Sequence, residues 1–163
     1  MRWLGKSVGE PIARGAGQVT LFVPHGVAGF VSHANGSVSL RNILIPVANK
    51  PRPQPAVEAA VRLIRNLQLS AGTVTLLHVG PAGDMPAVKR PEDTGWTWRP
   101  MAKSGDPVEV ILQTATELAA DLIMMTTEGR DGFLDGLRGS TSERVLRQAR
   151  CPLAILPVGS LLG

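Results

Sequence analysis

The chain has 163 residues, of which 44% are hydrophobic and 18% charged, with a formal net charge of +4 and a single cysteine. That length supports one domain with its own core, and the apolar content lies above that of disordered chains. No apolar run approaches the roughly 18 to 20 residues of a membrane span, and Cys151 alone closes no disulfide and builds no cysteine metal cage.

The N-terminus (MRWLGKSVGEP) lacks the long apolar stretch of a signal peptide, so the expected compartment is the cytoplasm. The positive charge invites a nucleic-acid reading. However, the basic residues are scattered, and the Trp and Phe residues do not interleave with them as a stacking platform requires. No zinc-finger or RNA-binding signature is present, which argues against nucleic acid as a partner.

In chain order, Gly5-Lys6-Ser7 is not a Walker motif, because no glycine five residues earlier and no preceding strand exist. Residues 7–24 (SVGEPIARGAGQVTLFVP) align without gaps beneath 140–157 (STSERVLRQARCPLAILP). Ser7, Glu10, Arg14, Ala16 and Pro24 are identical to Ser140, Glu143, Arg147, Ala149 and Pro157. Both copies read as capped helix, strand, then proline. Residues 1–24 are thus expected to be a partial repeat of a domain's last helix and strand. An orphan strand needs partners for its backbone groups, and Val19–Val23 is expected to pair along the 153–158 strand, in its own chain or a neighbour's. Residues 25–38 read as a linker.

From residue 39 to 159 strand and helix patterns alternate. Ile43–Val47 is a short apolar run suited to a strand buried on both faces. Residues 55–67 place Val57, Ala60, Val61, Ile64 and Leu67 on one helical stripe. Thr73–Val79 predicts a second strand, residues 80–94 a loop with at most a short helix, and Trp96–Met101 a third strand near an edge. Asp106-Pro107-Val108-Glu109 is a capping box with proline at the first helical position. Asp121–Met125 predicts the fourth strand. A loop with glycines at 129, 132, 136 and 139 follows, then a second capping box at Ser140–Glu143 opening a helix to about Ala149, and a last strand at 153–158. This alternation implies parallel strands and right-handed crossovers, with ligands at the strands' carboxyl ends.

Isolated histidines (His25, His33, His78) have no partner at metal spacing, and Ser140 has no recognisable His and acid partners for nucleophilic catalysis. Trp96 and Trp98 alternate as a strand requires. The glycine loop is different. Gly129 and Gly139 lead to Ser140-Thr141 at a helix start, where free N–H groups suit phosphate oxygens. Capping its own helix and binding a phosphate are both open to Ser140.

Over about residues 40–159 the chain resembles the universal stress protein family, in ILIPV, TLLHV, GDPVEVILQTATELAADLIMM and GRDGFLDGLRGSTSERVLRQARCPLAILPV. The resemblance implies an α/β fold with a five-stranded parallel, doubly wound sheet of Rossmann-like or flavodoxin-like layering. The front helix-strand segment would be an addition to it. It further implies a homodimer through the 153–158 strand edge, here with the 19–23 strand as an alternative occupant. Its nucleotide-binding members carry Gly, two residues, Gly, nine residues, Gly, then Ser or Thr. Here Gly129, Gly139 and Ser140 match, but Thr126 replaces the first glycine.

The family's nucleoside-contacting Asp is Ala48, while Pro46, Val47, Val79 and Met125 match pocket positions and Thr141 follows at the phosphate side. Losing one charged hydrogen bond costs about 1.5 to 3 kcal/mol, roughly ten- to a hundred-fold in affinity. If position 126 requires a positive φ, Thr is a poor occupant there. ATP is the cofactor the resemblance implies. The expectation is a non-catalytic regulatory or stress-response module with a degenerate nucleotide loop, and the alternative is an ATP-binding switch with slow or no hydrolysis.

Overall fold

Runs rich in aliphatic and β-branched residues set the strands, and apolar stripes at helical spacing set the helices. The computed structural model describes residues 19–92, 95–128 and 140–158. Its strands are β1 (Thr20–Phe22), β2 (Asn42–Pro46), β3 (Thr73–Val79), β4 (Thr97–Lys103), β5 (Leu122–Thr127) and β6 (Leu153–Pro157). Its α-helices are α1 (Gln54–Asn66), α2 (Pro107–Glu117) and α3 (Thr141–Gln148), and Ala82–Asp84 makes one 3-10 turn in the loop after β3.

One sheet runs in the order β1-β6-β5-β2-β3-β4. The five strands β2 to β6 are parallel to their neighbours, as the alternating pattern implied. The sixth is the front strand, β1, antiparallel to β6 with Thr20 opposite Ile155, Leu21 opposite Ala154 and Phe22 opposite Leu153. The expected pairing of the front strand is therefore made within the chain. The helical half of the front repeat lies outside the described residues.

Alternate residues of each strand face two cores, as the period of two demands. On one face Ile43, Ile45, Val74, Leu76, Leu122 and Met124 pack with Val57, Ala60 and Ile64 of α1. On the other, Leu44, Leu77, Ile123, Met125, Leu153 and Ile155 pack with Val108 and Ile111 of α2, Val145 and Leu146 of α3, and Phe22. Each such side chain, fully buried, contributes roughly 1.5–3 kcal/mol, so both faces are committed to helix packing.

Local devices fix the edges of this arrangement. The Asp106 carboxylate accepts from Glu109 N–H at 3.1 Å, the N-cap of α2 that the sequence announced. Asp121 Oδ2 accepts from the N–H groups of Arg41 and Asn42, both at 2.9 Å, which ties the start of β2 to the start of β5. At the other edge, Trp96 is buried and its ring fills the space beside Gly72. A Cβ at residue 72 would lie 2.5 Å from that ring. The indole N–H donates to Leu69 O at 3.1 Å, so packing accounts for Trp96. The strand that follows runs to Lys103, two residues beyond the expected Met101. Lys103 Nζ meets Glu117 Oε2 at 2.7 Å and Thr114 Oγ1 at 3.0 Å, joining that end of the edge strand to α2.

Residues 25–38 do more than link. Val31 bridges Val38 in antiparallel fashion, Ser39 N–H donates to Phe30 O at 2.7 Å, and Phe30 packs into the core on the α1 face. Burial of Phe30 and Leu40 drives this, since both side chains have an apolar surface within reach. Among the described residues, no helix is long and apolar enough to cross a membrane.

Candidate functional site

β2 and β5 lie side by side, with Ile43 opposite Leu122 and Leu44 opposite Ile123. From the end of β2 the chain passes to α1 on one face, and after β5 it reaches α3 on the other. The strand order reverses between them, which opens a crevice at their carboxyl ends. A cavity of about 240 Å³ occupies that crevice.

Its floor is apolar: Pro46, Val47 and Ala48 from the end of β2, Leu77 and Val79 from β3, and Met125 from β5. Thr126 and Thr127 continue it. Pro107 and Ile111 of α2 line one side, and Ser140, Thr141 and Ser142 of α3 another. Both helices thus present their N-terminal turns to the cavity; α3 brings first-turn N–H groups and the positive end of its dipole, whereas α2 opens with the Asp106 carboxylate as its cap and with Pro107, which has no N–H. Lys50 and Pro51, on the loop from β2 to α1, complete the lining. No carboxylate, histidine or cysteine belongs to it; Lys50 is its one ionisable side chain among the described residues.

Of the residues expected from sequence, Pro46, Val47, Ala48, Val79, Met125, Thr126, Ser140 and Thr141 are brought together around this one cavity. Gly129 and Gly139 lie outside the described residues. Thr126 corrects one expectation: it sits within β5 opposite Leu156, and the only non-glycine residues with positive φ among the described ones are Gln68 and Ala119. An extended backbone there suits a β-branched residue, so threonine is unstrained.

Ser140 caps its helix, its Oγ accepting from Glu143 N–H at 3.0 Å. Accepting in the cap does not consume the hydroxyl proton, so capping and anion binding are chemically compatible.

Sequence reasoning missed Lys50, Pro51, Leu77, Pro107, Ile111, Thr127 and Ser142 as lining residues. Leu77 and Ile111 were visible only as core positions, and the α2 capping box marked a helix start without showing that it faced the strand ends. Lys50 had one available signal, its place two residues beyond Ala48 after a strand end. His78 also acquires a role. Its Nδ1 lies 3.1 Å from Val47 O, an acceptor, so Nδ1 carries the proton, and the ring braces the cavity's β2 wall. Its Nε2 is buried without a partner among the described residues.

Cys151 stands apart from this site, at the entrance to β6. Burial, with a smaller contribution from the Asp121 charge, pushes its thiol up to about 11 from 9.0. That keeps it a protonated packing group at neutral pH.

Residues 89–157 match the model of the universal stress protein family. The universal stress protein MJ0531 of Methanocaldococcus jannaschii is 24% identical over 144 residues, spanning 75% of this chain and 85% of the relative. Among solved structures, a universal stress protein from Archaeoglobus fulgidus superposes with a TM-score of 0.54 at 22% identity, covering 73% of this chain. This chain spans only 44% of that one. A universal stress protein in complex with cAMP gives a TM-score of 0.53 at 14% identity, covering 72% of this chain and 97% of that one. Residues 89–157 thus resemble the universal stress protein family, and the fold of the chain is similar to that of its solved members.

Proposed function

We propose that this chain is a non-catalytic regulatory module, acting in the cytoplasm, whose crevice takes an adenine nucleotide. The observation that carries this reading is the meeting of an apolar cavity at the sheet's switch point with the hydroxyl-rich start of α3. Apolar walls suit a base and ribose, and the start of α3 suits a phosphate. The relative solved with cAMP supports the same ligand class. Because the lining among the described residues offers no carboxylate or histidine to act as a base, binding without turnover is favoured over the alternative of an ATP-hydrolysing switch.

Self-association belongs to the same reading. β1 fills the edge of β6, and Val19 and Leu21 beside it are exposed apolar residues, which favours a homodimer along this edge.

Calorimetric titration of the nucleotide-stripped protein with ATP and Mg²⁺, beside Ala48→Asp, tests the site. The expected outcome is weak binding by the native chain, ten- to a hundred-fold tighter binding by the variant as a ribose-accepting carboxylate is restored, and no accumulation of ADP. Silence from both proteins would overturn the reading; ADP accumulating with turnover would favour the switch.

A further inference from the structure

The crevice carries two positive features on opposite walls. The first turn of α3 belongs to a helix on one face of the sheet, whereas Lys50 lies on the loop that leads from β2 to α1 on the other face. Lys50 is exposed and makes no ion pair or hydrogen bond within the described residues. Two residues before it, Ala48 occupies the strand end without a carboxylate. In doubly wound folds an acidic side chain near a strand end accepts from free ribose hydroxyls, while a basic side chain there accommodates a phosphate on the ribose. Among the described residues the crevice has the second combination: no carboxylate in its lining to accept from a free diol, and a lysine without an ion pair or hydrogen bond.

Resting on the nucleotide reading above, we propose that the crevice selects adenine nucleotides bearing a phosphate ester on the ribose 2′ or 3′ oxygen as well as a 5′-phosphate, and that Lys50 is the residue that determines this specificity. The 5′-phosphate faces the start of α3 and the ribose phosphate faces Lys50. A ligand with both anions engages both walls, whereas AMP engages one.

The test is titration of the full chain with AMP, adenosine 2′,5′-bisphosphate and adenosine 3′,5′-bisphosphate at physiological salt. A bisphosphate is expected to bind at least ten-fold tighter than AMP, one charge-assisted contact's worth. The 2′ and 3′ isomers tell which ribose oxygen is read. Lys50→Gln is expected to bring the ratio of affinities to about one, and Lys50→Arg to keep it. Lys89→Gln, an exposed cation outside the cavity, is expected to keep the ratio too, which separates a specific contact from general attraction to a basic protein. Equal affinities for AMP and both bisphosphates would overturn the inference while leaving the nucleotide reading intact. A ratio unmoved by Lys50→Gln would likewise overturn it. Binding of none of the three would overturn both.

Discussion

Position 48 shows how much one side chain decides at this site. A carboxylate at the end of β2 would face the same cavity as Lys50 and pair with it or with a ribose; with alanine there, Lys50 is the one charged side chain of the lining among the described residues. Thr126, the other departure from the nucleotide-binding pattern, causes no backbone strain, because the backbone at 126 is ordinary strand. Cys151 illustrates the opposite case, a residue whose environment switches chemistry off. Its thiol favours the protonated form in the folded chain, so the stability it contributes is complete below the unfolded value near 9.0 and is lost as pH rises through about 11. Alkylation by iodoacetamide at pH 8 should accordingly run roughly a hundred-fold slower in the native protein than in urea, as a two-unit shift in thiolate population implies. Equal rates would mean that the thiol is not held as described.

Among the elements, β1 is the shortest strand of the described residues, and Phe22 is its buried apolar side chain. It has only three residues and pairs with β6 alone among the described residues, yet Phe22 is fully buried between α2, α3 and the sheet. Phe22→Ala should cost about 3–5 kcal/mol if β1 stays docked and leaves a cavity. If β1 instead detaches, its amides and those of β6 facing it should lose hydrogen-exchange protection while β2 and β3 keep theirs. Detachment also bares the β6 edge, so sedimentation of the variant should show greater self-association than the native chain. Unchanged stability together with unchanged protection would contradict the docking of Phe22.

Across the molecule, the sheet and its order of strands and helices were legible because the apolar periods were strong: TVTLLHV has no rival reading, and two capping boxes marked α2 and α3 to the residue. The partner of the front strand was legible through five identities between residues 7–24 and 140–157. Less legible was what long-range packing brings together. Phe30 gave no local sign that the stretch around it folds onto the core, and edge pairing carried β4 past Met101 to Lys103. The site divided in the same way. Residues adjoining the ends of strands appeared in the motif, whereas Lys50, Pro107 and Ile111 reach the cavity only through the crossing of loops and helices over the switch point.

Nucleotide binding in this crevice, as proposed, can be followed by methyl NMR of the isotope-labelled protein during titration with AMP, since Val47, Val79, Ile111 and Met125 all line the cavity whereas Val74, Ile64 and Leu122 are buried in the core away from its lining. Saturable shifts are expected in the first group and none in the second. Shifts confined to other surfaces, or no shifts at millimolar nucleotide, would contradict the proposal.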